Sequence, residues 1–237
     1  MIGPMRDEML DSVHKSLNTG RRLDLSGVLY GMPHGPSGLD PTLPADAAPK
    51  SYYYFLAGFV REMGCRRILE LGTHMGGSAR ALDRGFSEPF RGDELIVTID
   101  PGRLAVPILS SHPRIRMIHG LGEREDAVQE ALRLFGNKPI DLLFLDSLHE
   151  FDTALQQFAL YTTLFSPKYV LLDDIALNPE MRRFWAVLCQ RYGPFAMNLS
   201  EISDQIQGPD PGFGFVYLPG PATAPARASG RQDEPRP

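Results

Sequence analysis

Cysteine is scarce in this chain, with 2 in 237 residues, Cys65 and Cys189, at no paired spacing. That excludes a disulfide framework, and no Cys/His pattern at ligand spacing suggests a zinc site. Both thiols read as reduced residues in or near a core. No Lys/Arg-rich run is present and the formal net charge is −5, so a nucleic-acid partner is not expected. No apolar run approaches the ~20 residues needed to span a bilayer, so no membrane partner is expected. Residues 1–8 hold no apolar signal region, which makes cytoplasmic placement the expectation. No internal repeat is visible. What the chain does have is 43% hydrophobic residues, enough to bury the core of one α/β domain with additions.

The chain divides into three stretches. Residues 1–50 hold a short amphipathic helix over 5–18, with Met5, Met9 and Val13 on one face. An irregular segment follows over 19–50. Gly20, Gly27, Gly31, Gly35 and Gly38 share it with Pro33, Pro36, Pro41, Pro44 and Pro49. Long segments of this kind are functional lids or disorder. Here Tyr30, Met32 and His34 supply anchoring chemistry, and a lid is the reading adopted. Residues 51–218 form the main domain. Residues 219–237, rich in Pro, Ala and charge, read as a disordered tail.

Within 51–218 helix and strand alternate. Helices are expected over 52–63, 77–86, 104–109, 124–135, 151–164 and 179–192. Strands are expected over 68–71, 95–100, 115–119, 141–146, 169–173, 195–202 and 214–218. The middle strands are continuous apolar runs, as when helices cover both faces of a sheet. Strict alternation predicts an α/β fold with a doubly wound, mainly parallel sheet.

The most informative stretch is Arg67-Ile68-Leu69-Glu70-Leu71-Gly72-Thr73-His74-Met75-Gly76-Gly77-Ser78. It reads as a strand, a glycine-bearing turn and a helix start. Bare backbone N–H groups then stand beside an acid, a place suited to a cofactor with an amino group, a ribose and a carboxylate. Ligands of open parallel sheets bind at the carboxyl ends of the strands, and acids collect there. Asp100 ends the second strand and can accept hydrogen bonds from both ribose hydroxyls. Glu70 is a candidate for fixing the glycine turn. Gly72, Thr73, Gly76 and Ser78 would let the cofactor approach closely. After the third strand, Gly120 permits close approach and Leu121 supplies an apolar surface. Asp146 ends the fourth strand and Asp173-Asp174 the fifth. Three close carboxylates repel unless protonated or bound to a cation, and an oxygen-only set suits Mg²⁺. His149 lies three residues past Asp146, and a near-neutral imidazole can take a proton from a polarised hydroxyl. His74 and His119 fall at the rim. The aromatics Tyr52-Tyr53-Tyr54-Phe55 are expected to pack in the core rather than face a substrate.

The pattern Glu70-x-Gly72-x-x-x-Gly76-x-Ser78 resembles the first motif of class I S-adenosylmethionine-dependent O-methyltransferases. It is most similar to the catechol O-methyltransferase-like and macrocin/cephamycin-pathway tailoring enzymes. In the catechol type the fourth strand ends Phe-Leu-Asp-x-x-Lys, whose aspartate binds Mg²⁺ and whose lysine deprotonates the substrate. This chain has Phe144-Leu145-Asp146-Ser147-Leu148-His149. The fifth strand there ends Leu-Ala-Asp-Asn, whereas here Leu172-Asp173-Asp174-Ile175 places an isoleucine at the asparagine. The tailoring branch uses an acidic pair instead, which Asp173-Asp174 matches. The resemblance covers roughly residues 50–218.

It implies a Rossmann-like seven-stranded sheet with an antiparallel edge. It also implies S-adenosyl-L-methionine as cofactor and a Mg²⁺-assisted methyl transfer to a hydroxyl of a small molecule, in the setting of secondary-metabolite tailoring. Asp146, Asp173 and Asp174 would hold the metal, Asp146 would also lie beside the cofactor, and Asp146 and His149 would carry the catalysis. A homo-oligomer remains a candidate assembly. Two other readings stay open. An NAD-linked oxidoreductase could use a similar sheet, but His74 stands where its Gly-x-Gly-x-x-Gly fingerprint needs a glycine. A non-catalytic cofactor-binding module would keep the same first motif.

Overall fold

Apolar strands alternating with amphipathic helices build one seven-stranded sheet in the computed structural model of the chain, which describes residues 2–28, 50–89, 91–207 and 211–219. The strands are β1 (Arg67–Leu71), β2 (Leu95–Asp100), β3 (Ile115–His119), β4 (Leu142–Leu145), β5 (Tyr169–Asp173), β6 (Ala196–Asn198) and β7 (Phe213–Tyr217). The helices are α1 (Ile2–Gly20), α2 (Ser51–Met63), α3 (Gly77–Arg84), α4 (Val106–Leu109), α5 (Glu125–Phe135), α6 (Phe151–Phe165) and α7 (Pro179–Tyr192). The sheet order is β3-β2-β1-β4-β5-β7-β6. β7 alone is reversed, lying antiparallel to both β5 and β6. The doubly wound, mainly parallel, Rossmann-like sheet expected from the alternation is therefore present. Its order reverses beside β1, and in such sheets that is where a ligand crevice opens.

Both faces of the sheet are covered, which explains the unbroken apolar strands. One core packs α1, α2 and α3 against Ile68, Ile96, Leu142, Phe144 and Leu171. The other packs α5, α6 and α7 against Leu69, Val97, Leu143, Val170 and Leu172. Alternate residues of each strand thus feed opposite cores, as the pleat requires.

The N-terminal helix runs further than its apolar face suggests, to Gly20. It does so because α1 crosses α2 at very short range. A Cβ on Gly58 would lie 1.9 Å from the Ser16 carbonyl oxygen, so only glycine permits the crossing. Beyond the helix, Leu25 and Val28 are buried in the first core. Residues 29–49, with Tyr30, Met32 and His34, and residues 220–237 lie outside the described residues, and with them most of the expected lid and tail. The strand expected over 195–202 is only three residues long. After it the Asn198 side chain accepts the Ser200 N–H at 3.1 Å and starts a 3-10 turn, Leu199–Glu201. No helix among the described residues is long and apolar enough to cross a membrane.

Candidate active site

Register places the first acid. Glu70 in β1 stands directly opposite Thr98 in β2 and Phe144 in β4. Its side chain therefore lies between strands and is fully buried. The Thr98 hydroxyl donates to Glu70 Oε2 at 2.5 Å. That uses Thr98's hydrogen, so the Thr73 hydroxyl, 2.6 Å away, donates to Thr98 in turn. Glu70 Oε1 makes no hydrogen bond. Burial raises the Glu70 carboxyl to about 7, and the nearby Asp100 charge acts in the same direction. The Ser78 and Thr98 hydroxyls only partly oppose this.

The turn after β1 is stitched on both sides. Gly72 N–H donates to Ile99 at 2.9 Å, and Asp146 N–H donates to Leu71 at 2.9 Å. Gly72 has φ 98°, and a Cβ on it would sit 1.7 Å from the Asp146 carbonyl oxygen. Glycine is required here by the neighbouring strand end. Asp100 ties the same turn to β2. Its Oδ2 accepts the His74 N–H at 2.9 Å and its Oδ1 the Gly102 N–H at 2.6 Å. Each oxygen keeps a lone pair for a further donor.

A cavity of about 510 Å³ opens over these strand ends. One end is walled by Gly72, Thr73, His74, Ser78, Asp100 and Leu121, with Gly122, Glu123 and Gln157 beside them. Gln157 is held by two contacts: its Nε2 donates to Glu123 Oε2 at 3.1 Å, and its Oε1 accepts from the Ser147 hydroxyl at 2.5 Å. Glu70, Gly76 and Gly120 stand outside the wall. Gly76 instead opens α3 in a left-handed conformation, φ 80°. Gly120 binds the Asp100 carbonyl through its N–H.

The other end brings together Asp146, His149, Asp173 and Asp174 with Lys50, Tyr52 and Tyr53. His149 Nε2 lies 3.4 Å from Asp174 Oδ2 and 3.8 Å from Asp146 Oδ1. It is buried and makes no hydrogen bond. Asn178 fixes the loop that carries it. The Asn178 side chain caps α7 through the Met181 N–H at 2.8 Å and donates to the His149 carbonyl at 2.9 Å. Asp174 takes a left-handed conformation, φ 58°, while its N–H binds Asp173 Oδ1 at 3.0 Å. Gln207 donates to Asp174 Oδ1 at 3.1 Å. Burial, then the Asp173 and Glu70 charges, push Asp146 well above the carboxylate range. Burial and Asp174 push Asp173 up to about 6. Burial lowers His149, with Asp174 opposing and Lys50 assisting, which favours the neutral imidazole. Burial and the same aspartates also raise the Tyr52 hydroxyl.

The expected Mg²⁺ set does not fit this geometry. Among the described residues no three of His, Cys, Asp and Glu converge as a metal group. The imidazole nitrogen lies within 4 Å of both Asp146 and Asp174 and takes up space beside those carboxylates. Asp173 Oδ1 is engaged by backbone. Ile175, at the position of the asparagine ligand in the catechol type, is buried in the second core.

Residues 69–175 match the family described as "Methyltransferase domain". The fold of the chain is that of class I, S-adenosylmethionine-dependent methyltransferases. It is similar to the O-methyltransferase TomG from Streptomyces achromogenes, involved in tomaymycin synthesis and solved with SAM. The identity is 23%, over 83% of this chain and 89% of TomG, with a TM-score of 0.58. An O-methyltransferase from Bacillus cereus in complex with SAH is similar at 21% identity, over 88% of this chain and 91% of that one, TM-score 0.51. The SAH-bound Podospora anserina methyltransferase PaMTH1 is similar at 17%, over 88% of each chain, TM-score 0.52. No match is found among curated proteins.

Several residues in and around this cavity are not apparent from the sequence motifs. Lys50, Glu123, Gln157 and Asn178 belong to no motif, and only the fold brings them to the strand ends. Thr98 is mid-strand and silent without the register. Tyr52 and Tyr53 pack in the core as expected, yet each also shows an edge to the cavity.

Proposed function

We propose that this methyltransferase moves the methyl group of S-adenosyl-L-methionine to a hydroxyl of a small molecule, with His149 as general base. One observation carries the reading. A single cavity joins the β1 turn and Asp100 at one end to a buried, unbonded imidazole nitrogen at the other. The cofactor's ribose would bind Asp100 and its base would lie against Leu121. Gly72, Thr73 and Ser78 would line the amino-acid part. The acceptor oxygen would sit in line with the sulfonium methyl, close to His149 Nε2, so that binding supplies the orientation. The Asp174 charge favours the imidazolium that forms as the proton arrives. Magnesium has no step in this reading, because the carboxylates are arranged around His149. A tailoring step on a secondary metabolite is part of the same proposal and rests on the sequence resemblance.

The test is S-adenosylhomocysteine release from the purified chain across a panel of hydroxyl compounds. Turnover is expected with at least one. His149→Ala should lower it by roughly 10²–10⁴-fold, the usual worth of a general base. Thermal shift by S-adenosylhomocysteine and not by NAD should accompany this. Stabilisation by NAD alone, or unchanged turnover in His149→Ala across the pH range, would reject the reading.

A further inference from the structure

The acceptor end of the cavity holds Asp146, Asp173 and Asp174 beside Lys50 and His149. Buried carboxylates in such a group need a counter-charge or a proton. The chain supplies two nitrogen groups of its own. His149 Nε2 lies within 4 Å of two of the carboxylates. Lys50 immediately precedes α2, in an extended conformation with ψ 148°. Its ammonium lies 5.2 Å from the Tyr52 ring centre, and its charge is felt by Asp146, Asp173 and His149. Lysine is a compact point charge on a flexible stem, suited to follow an oxygen anion.

We propose that the Lys50 ammonium holds the acceptor oxygen where related enzymes are expected to use a divalent cation, so that transfer is metal-independent and confined to acidic hydroxyls such as phenols and enols. This rests on the methyl-transfer reading above. The step balances without any further reactant. The acceptor O–H proton goes to His149 Nε2, the O–CH₃ bond forms as the S–CH₃ bond breaks, and neutral S-adenosylhomocysteine leaves. One ammonium and one imidazole lower a hydroxyl pKa less than a divalent ion does. The acceptor must therefore be acidic already, and an aliphatic alcohol would keep its proton.

Lys50 is then a positioning residue, and three arms test it on the full chain. The first needs no acceptor. Mn²⁺ titration followed by electron paramagnetic resonance should give the same weak binding in wild type and Asp174→Asn. Tighter binding in wild type, lost in the variant, would overturn the proposal and leave methyl transfer intact. The second compares turnover in EDTA with turnover in added Mg²⁺, on a phenol and an aliphatic alcohol of similar size. Equal rates on the phenol and none on the alcohol are expected. Dependence on Mg²⁺, or equal use of the alcohol, would overturn it. In the third, Lys50→Met should raise acceptor KM and lower kcat, together by roughly ten- to a hundred-fold, the scale of one charge-assisted hydrogen bond. Affinity for S-adenosylhomocysteine should not change, and Lys50→Arg should recover part of the loss. Equal loss in both variants with weakened cofactor binding would mean a merely structural lysine. Absence of transfer to every hydroxyl, with the Mn²⁺ result as expected, would instead reject the underlying reading.

Discussion

Replacing Glu70 by glutamine removes a buried charge while keeping the shape. The amide oxygen can still accept from Thr98. In the wild type the Glu70 carboxyl moves from its ordinary 4.5 up to about 7, chiefly through burial. A raised carboxyl contributes stability that is fully present below the unfolded value and is lost as pH rises through the folded one. The loss therefore builds between about pH 4.5 and 7 and is complete above that. At 1.36 kcal/mol per pH unit it amounts to roughly 3 kcal/mol. Asp146, which feels the Glu70 charge, is relieved in the same direction. The assay is urea unfolding of the cofactor-free chain from pH 4.5 to 8 at constant ionic strength. Stability of Glu70→Gln relative to wild type should climb by about 3 kcal/mol across that range and then level off. Asp173 contributes its own pH dependence to both proteins and largely cancels in the difference. A difference that stays flat with pH would refute a neutral Glu70 and place an ionised carboxylate under the cofactor turn.

Asp100→Ala should weaken S-adenosylhomocysteine binding by about 1.5–3 kcal/mol in calorimetry. Because Asp100 also holds the His74 and Gly102 N–H groups, faster hydrogen exchange in that turn should accompany the loss. Asn178→Ala should cost about 1 kcal/mol of stability through the lost α7 cap. It should also lower kcat without changing cofactor affinity, since the same side chain pins the His149 carbonyl; equal kcat in the variant would show that the pin is idle. Gly72→Ala should destabilise the chain by about 3 kcal/mol or more, from a left-handed backbone and a Cβ pressed on Asp146. An unchanged melting temperature would mean that the turn can move away from β4.

The fold was readable because its signals are local and repeated. Runs such as Leu142-Leu143-Phe144-Leu145 can only be interior strands, and the Glu70-to-Ser78 motif marks the strand that faces the crevice. Acids at the strand ends were legible for the same reason, since topology puts all parallel strand ends at one rim. What failed to show was whatever depends on register or on a partner distant in sequence. Thr98 gains its role only from standing opposite Glu70. Asn178 gains its role from reaching back 29 residues to His149. The metal expectation came from residue types; among the described residues no metal group converges, and His149 lies beside two of the carboxylates. β6 came out short because a side-chain cap at Asn198 competes with the ladder.

The contact between Gly72 and the Asp146 backbone also limits how such an enzyme can diversify. With no side chain between them, the turn after β1 and the end of β4 form one unit, and neither can be shifted without dislodging the other. On the proposed reading, the spacing from methyl donor to base is then an inherited constant. Change in what is methylated must come from outside that unit, at the Lys50-Tyr52-Tyr53 entry to α2 and at exposed rim residues such as Leu148 and Leu177. These can be exchanged without resetting the distance over which the methyl group travels. Selection for a new acceptor should therefore collect its substitutions at those positions and leave residues 70–76 and 144–146 untouched.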